Sequence, residues 1–309
     1  MKKVDVVIPV YNNFESLSSI ANQISQFNRP ELLVRILMID DGSTDHSWEK
    51  IQELCLNENL NVFGVKLPKN FGQLSAMKAG YSLSTADAVV SISADLQDPP
   101  ILVEKMIHEW ELGSKFVICA RKNRDDGWFI KITSVIAYKI LGVDVAGIPK
   151  GGFDTFLMDK QIYESLVQLK GRFNFLQADL LSFGFKPAVI EYTRLTRPYG
   201  KSGYNFVKRL RNFINGLIDS SYLFIRSSIR IGIGITIGGI VLTSLLLVAK
   251  LQNQSPFNGF TLIACSILII GGFQIVMIGI LGSYIWRIYD AIRERPAFVI
   301  EKVEGLTEI

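Results

Sequence analysis

The chain has 309 residues, with 33 Lys and Arg against 29 Asp and Glu, a formal charge of +4, and 49% hydrophobic against 20% charged residues. So small a basic excess gives no electrostatic footprint for nucleic acid, and the composition suits one globular domain with an apolar attachment. Cys55, Cys119 and Cys265 stand apart without CxxC spacing, and His46 and His108 are the only histidines, which argues against a zinc site or a disulfide framework.

The opening Met1-Lys2-Lys3 is followed by an apolar run that Asp5 and Pro9 break too early for a signal-peptide core, so the first domain is expected to stay in the cytosol. Val4 to Val10 reads as a buried strand, Leu17, Ile20, Ala21 and Ile24 recur at helical spacing, and Val34 to Ile39 is a second β-branched run. The alternation continues with a helix carrying Trp48, Ile51 and Leu54 and a strand near Val62 to Val65. A helix with Leu74, Met77 and Ala79 follows, then a strand from Ala88 to Ile92, a helix with Met106 and Ile107, and a strand at Phe116 to Cys119. Strands alternating with helices predict an α/β domain built on a mostly parallel sheet wound in the right-handed sense.

The stretch Ser91 to Pro100, SISADLQDPP, carries the densest chemistry. Pro99-Pro100 ends the extended run and opens a helix at Ile101, so Asp95, Gln97 and Asp98 fall at a strand's carboxyl end. Ligands of open α/β sheets bind at that edge, and such oxygen groups suit a hard divalent cation bridging phosphates. The plain alternative is an acidic turn in which Asp98 caps the helix. Two further segments fall at carboxyl ends of strands: Pro9-Val10-Tyr11-Asn12-Asn13 and Asp40-Asp41-Gly42-Ser43-Thr44-Asp45. Gly42 permits a tight turn, Ser43 and Thr44 can cap the next helix, and Asp40 and Asp41 can accept hydrogen bonds from a base or ribose.

Further along, Arg194, Arg197, Lys201 and Ser202 precede an amphipathic stretch in which Phe206, Leu210, Phe213, Ile214 and Leu217 recur at helical spacing among Lys208, Arg209 and Arg211. A basic amphipathic helix of this kind lies in a membrane interface. From Ile231 to Ala249 and from Phe260 to Ile285 there is no charged residue, and each run is long enough to cross a hydrocarbon core of about 30 Å as a helix. Basic residues flank the pair on both outer sides, and the connecting segment has only Lys250. This predicts two transmembrane helices with both termini cytoplasmic and the loop Gln252 to Asn258 outside. Gly234 and Gly238 form a GxxxG pair that would allow close helix packing, within the chain or in a homo-oligomer. The expected division is a catalytic domain over 1–202, juxtamembrane amphipathic helices over 203–228, two spans over 229–287 and a cytoplasmic tail over 288–309.

Taken together, these segments resemble the inverting glycosyltransferases of family 2, which have the GT-A (Rossmann-like) fold, and within them the polyisoprenyl-phosphate glycosyltransferases. The likeness runs through PVYNN, DDGSTD, Asn70-Phe71-Gly72 with Ala76 and Gly80, ADLQDPP, Arg121 with Arg124, Gly151-Gly152-Phe153-Asp154, Leu157-Met158-Asp159, Tyr199-Gly200-Lys201-Ser202 and the paired spans. It implies that a lipid phosphate oxygen attacks the anomeric carbon of a UDP-sugar while Mg2+ or Mn2+ neutralises the departing diphosphate. The nucleophile is already an anion, so no general base is required, in keeping with the scarcity of histidine. The resemblance implies that Pro9, Tyr11, Asn13, Asp40, Asp41, Asn70, Asp95 and Arg121 bind the nucleotide sugar, Asp95 and Gln97 hold the metal, and Asp95 and Asp154 are catalytic. Arg197, Lys201 and Ser202 would bind the acceptor phosphate of a polyprenyl lipid such as undecaprenyl phosphate. Family members carry Asp-x-Asp where this chain has Ser93-Ala94-Asp95, which implies weaker metal affinity, and many have Glu where Asn13 stands. The absence of an Arg-Trp dipeptide implies transfer of a single sugar, glucose or N-acetylglucosamine being favoured. Such an enzyme would be a multi-pass protein of the inner (cytoplasmic) membrane. The competing readings are a noncatalytic nucleotide-sugar sensor or scaffold, and a two-span transporter component, against which the spans' lack of ionisable residues argues.

Overall fold

The computed structural model describes residues 1–121, 153–169, 176–195, 259–292 and 296–305, together with Gly234, Val241 and Ser244. The described chain divides into two units, Met1–Ser220 with Pro296–Ile309, and Ser221–Arg295.

The first unit alternates as its hydrophobic pattern predicts. Strand β1 (Lys2–Val10) leads to α1 (Phe14–Ser25), β2 (Leu32–Asp40), α2 (Ser47–Cys55), β3 (Val62–Lys66), α3 (Gln73–Leu83), β4 (Ala88–Ser91), α4 (Ile101–Glu111) and β5 (Phe116–Arg121). Strand β6 (Phe156–Asp159), α5 (Lys160–Gln168), α6 (Leu176–Ser182) and β7 (Ala188–Tyr192) follow. In β1 the side chains alternate between faces with the period of two that a strand imposes. Val4, Val6, Ile8 and Val10 join one apolar layer, with Leu17 and Ile20 of α1, Ile51 of α2 and Met106 of α4. Val7 joins the opposite layer, with Ala76 and Met77 of α3 and Ile162 and Leu166 of α5. Helices therefore cover both faces, as a sheet buried on both sides requires.

With β8 (Lys302–Glu304), the eight strands run in the order β7-β5-β6-β4-β1-β2-β3-β8. Four of the seven pairings are parallel, so the sheet is mixed where the alternation alone predicts a mostly parallel one. The two antiparallel intruders are β6, wedged between β4 and β5, and β8 (Lys302–Glu304), which pairs with β3. Neither announces itself in the sequence. One is a four-residue run with only three apolar residues, Phe156 to Met158, and the other, Lys-Val-Glu, is a strand only because its backbone finds the open edge of β3. The stretch expected as a tail thus completes the sheet, with Glu301 N–H donating to Lys66 O at 2.8 Å.

The second unit contains a 34-residue helix, α7 (Gly259–Ile292), over the second predicted span. Over the residues whose side chains are described, no helix is long and apolar enough to cross a membrane, so the two spans are not established by the structure. The described side chains of α7 are nevertheless largely apolar and exposed, among them Ile263, Ile267, Ile270, Ile278, Leu281 and Ile285. The amphipathic helices over 203–228, the first span apart from Gly234, Val241 and Ser244, and Gly238 lie outside the described residues.

Helix α3 sits tightly on the sheet at Gly80, where an added Cβ would lie 2.5 Å from Val7 Cγ1 and 3.3 Å from Ile39 Cγ1. Gly80→Ala should therefore destabilise the domain by about 1 to 3 kcal/mol, the usual cost of overpacking. A lowered midpoint of thermal unfolding would show it.

Candidate active site

Parallel pairing decides where the polar loops meet. Strands β4, β1, β2 and β3 are mutually parallel, so the segments after Ser91, Val10, Asp40 and Lys66 all emerge at one edge. Antiparallel β6 brings its amino end to the same edge, because Phe156 pairs with both Ser91 and Ile118. Parallel β7 places Tyr192 opposite Arg121. Residues far apart in sequence, Tyr11, Asp40, Asp95, Arg121, Asp154 and Tyr192, are thus gathered along one rim.

The loops on the nucleoside side hold each other. Asn12, at φ 52°, donates its N–H to Ser43 Oγ at 3.1 Å, and its Oδ1 accepts the Thr44 N–H at 2.9 Å. Ser43 and Thr44 therefore fasten the β1 loop and do not cap α2, whose N-cap is His46. The helix starts too late for them; Asp45 Oδ1 takes the Ser47 N–H instead. Asn13 donates its N–H to Ser47 Oγ at 3.0 Å and its side-chain amide to Tyr11 O at 3.2 Å. Tyr11 is left exposed, Pro9 is half-buried and Asn70 is exposed. Gly42, at φ +67°, packs so closely on the chain at Lys69 that a Cβ would lie 2.5 Å from its carbonyl carbon.

The two adjacent aspartates have different surroundings. Asp41 accepts the Phe71 N–H at 2.7 Å and the Gly72 N–H at 2.9 Å, one on each oxygen, and so anchors the loop before α3. Asp40 is fully buried; one oxygen accepts the Ser43 N–H at 3.1 Å, and Oδ2 has no hydrogen-bond partner among the described residues. Burial pushes both carboxyls above the usual range, at Asp40 against the Ser43 hydrogen bonds and nearby Lys66. A buried acceptor without a donor is costly. Asp40 Oδ2 can accept an N–H or O–H brought to it.

The loop after β4 is organised by Asp95, which is 8% exposed. Its Oδ1 accepts from Ser93 Oγ at 2.8 Å and from the Gln97 N–H at 3.2 Å, with Leu96 between them at φ 55°. Ser93, where an acidic residue was expected from the resemblance, thus supports Asp95 as a donor. Asp98 does not cap α4, whose N-cap is Pro100 without a side-chain hydrogen bond. Its carboxylate is fully buried and accepts from Tyr192 OH at 2.5 Å and Thr155 Oγ1 at 2.9 Å, with Arg194 Nε at 3.6 Å. Among the described residues no cluster of three or more His, Cys, Asp or Glu could hold a metal. The oxygen groups that this loop carries are the Asp95 carboxylate and the Gln97 amide. That donor set fits a hard cation that keeps water and takes substrate phosphate as its other ligands.

At the far end of the rim Arg121 is ion-paired with Asp154, and its Nε donates to Tyr192 OH at 3.4 Å. Burial opposes the charge on Arg121, but Tyr192 and Asp154 outweigh it and raise its pKa. Burial and the neighbouring Asp98 likewise push the Tyr192 phenol up, so it stays a donor. Thr155 and Tyr192 were not anticipated from sequence, since only the pairing of β5 with β7 and of β6 with β4 brings them to Asp98. Arg124, Gly151, Gly152, Arg197, Lys201 and Ser202 lie outside the described residues.

This architecture is shared with known proteins. The glucosyl-3-phosphoglycerate synthase of Mycobacterium tuberculosis, solved with Mn2+, UDP-glucose and phosphoglyceric acid, superposes with a TM-score of 0.53 at 17% identity, covering 71% of this chain and 79% of that one. The fold is accordingly GT-A-like. The undecaprenyl-phosphate 4-deoxy-4-formamido-L-arabinose transferase of Proteus mirabilis (strain HI4320) is 32% identical over 312 residues, 99% of this chain and 95% of the relative. The bactoprenol glucosyl transferase of Shigella phage SfII is 30% identical over 303 residues, 97% and 98% of the two chains. The family model "Glycosyl transferase family 2" matches residues 5–162, the segment from β1 into α5 that builds most of the rim, and the chain belongs to that family of glycosyltransferases.

Proposed function

We propose that this chain transfers a single hexose, with inversion, from a UDP-sugar to undecaprenyl phosphate at the cytoplasmic face of a membrane. The observation that carries the reading is the shared rim, on which a buried acceptor at Asp40, an oxygen pair at Asp95 and Gln97, and the Arg121–Asp154 pair follow one another. That sequence of groups matches the parts of a nucleotide sugar: base or ribose at Asp40 beside Tyr11, Asn13 and Asn70, diphosphate at Asp95, sugar at Asp154. The relatives named above act, by their names, on undecaprenyl phosphate or bactoprenol, and the solved neighbour holds Mn2+ with UDP-glucose.

The chemistry asked of the residues is modest. A phosphate oxygen of the acceptor forms the bond to the anomeric carbon as that carbon's bond to the β-phosphate oxygen breaks, and UDP leaves with the electron pair. Asp95 and Gln97 would hold Mg2+ or Mn2+, which supplies neutralisation of the charge that grows on the diphosphate. Asp40 fixes the nucleoside, and Arg121 holds Asp154 beside the sugar. Arg197, Lys201 and Ser202 are proposed as the phosphate clamp for the lipid.

A membrane location has two supports. The α7 helix has no charged residue from Phe260 to Ile285 and would be about 51 Å long at 1.5 Å per residue. Strand β8 pairs with β3, so the chain before and after the second unit lies on one side of any membrane, and any crossings between them are even in number. Two spans meet that requirement. A reporter fused after Ile309 should behave as cytoplasmic and a tag near Gln254 as external; an external C-terminal tag in intact cells would overturn the topology.

The direct test gives the purified chain UDP-glucose and UDP-N-acetylglucosamine with undecaprenyl phosphate and Mn2+ or Mg2+. Transfer to the lipid is expected from at least one donor, and none from either would favour a noncatalytic sensor. Asp95→Asn should lower the rate by about 100-fold or more, since even the outer partners of metal ligands are worth roughly 10- to 100-fold, and Ser93→Asp should keep or tighten Mn2+ binding. A rate indifferent to both chelator and Asp95→Asn would remove the metal assignment. Lys201→Ala should weaken acceptor use by about 10- to 100-fold, from a charge-assisted contact of about 1.5 to 3 kcal/mol, while UDP binding holds.

A further inference from the structure

The loop that carries Asp95 and Gln97 also carries a second carboxylate, Asp98, with a different set of partners. Asp98 is fully buried, and both of its oxygens are engaged. Oδ2 accepts from Thr155, the residue next to Asp154 in the chain. Oδ1 accepts from Tyr192 OH, and the same phenol oxygen accepts from Arg121 Nε, whose guanidinium is ion-paired with Asp154. We propose that Asp98 is a positioning residue for Asp154: through Thr155 it fixes the backbone, and through Tyr192 and Arg121 it fixes the carboxylate. This rests on the reading that Asp154 lies beside the reacting sugar.

Such support is needed on physical grounds. The Asp154 side chain is 55% exposed, and an exposed ion pair by itself holds a geometry weakly, because solvent screens it and rotamer freedom opposes it. The partner is better fixed than the carboxylate: Arg121 is 18% exposed by its side chain and touches Tyr192. Tyr192 is fixed in turn by a charge-assisted hydrogen bond to Asp98, which is stronger than a neutral one. The charge on Asp98 is balanced by Arg194, whose buried Nε lies 3.6 Å away, beyond hydrogen-bond range, so the compensation is electrostatic. A third tie, Leu195 N–H to Gln97 O at 2.9 Å, joins the segment after β7 to the same loop. The donor loop and the wall that presents Asp154 are thereby one piece.

The test uses the whole chain in detergent, with undecaprenyl phosphate and whichever of the two UDP-sugars it turns over, and UDP binding measured by calorimetry. Asp98→Asn risks misfolding, so the informative variants are Tyr192→Phe and Thr155→Val, each of which removes one hydroxyl. Each should lower kcat by roughly 10- to 100-fold, the range for misplacement of a reacting group by about an ångström, with UDP affinity and the KM for the UDP-sugar unchanged. Tyr192→Phe combined with Asp154→Asn should be no slower than Asp154→Asn alone, since groups that act through one another are not additive. Multiplying losses would overturn the positioning role, as would a loss of UDP affinity matching the loss of rate, which would mark Tyr192 as merely structural. Full activity in Asp154→Asn would instead remove the placement of Asp154, and the proposal with it.

Discussion

Everything at this rim depends on one constraint of backbone geometry: two strands that pair in parallel must end at the same edge. β1 pairs with β2 on one side and β4 on the other, and β2 pairs with β3, so four loops are delivered together before any side chain is chosen. Because these strands are covered on both faces, their side chains are mostly apolar, the buried Asp5–Arg35 ion pair across β1 and β2 being an exception, and most of the remaining polar groups fall at the ends.

The polar groups so collected divide into those that satisfy the protein and those that do not. The side chains of Asn12, Ser43 and Asp41 accept backbone N–H groups of neighbouring loops, and Thr44 meets the Asn12 amide, so the loops are tied to one another. Asp98 does the same more deeply, within the wall. Asp40 differs in keeping one oxygen without a partner among the described residues. Side chains that hold loops and side chains that meet a ligand are interleaved at adjacent positions, as at Asp40 and Asp41, because a loop precise enough to bind must first be pinned.

Most of the strand and helix alternation up to Arg121 was legible in sequence, since runs such as Val4 to Val10 and the Leu17-Ile20-Ile24 spacing carry one period each. The place of Asp40, Asp95 and their neighbours at one edge was legible for the same reason. What escaped was whatever depends on pairing across long separations. Ser43 and Thr44 looked like caps because cap residues before a helix are common, but the nearest unsatisfied groups belonged to Asn12. Asp98 looked like a cap because it precedes α4, yet its partners come from residues 155 and 192, which register alone brings near. β8 carries no pattern at all.

That last strand has a consequence for how the molecule is made. Gly64 pairs with Glu304, a separation of 240 residues (304 − 64), and translation at about 5 to 20 residues per second puts roughly 12 to 48 s between their syntheses. For that interval the backbone groups on the outer edge of β3 must be met by water or by some strand other than β8. An unpaired edge is a template for wrong partners. The sheet therefore gains its β3 edge pairing only after the second unit and β8 have been made, just as β6 enters between β4 and β5 only after β5 exists.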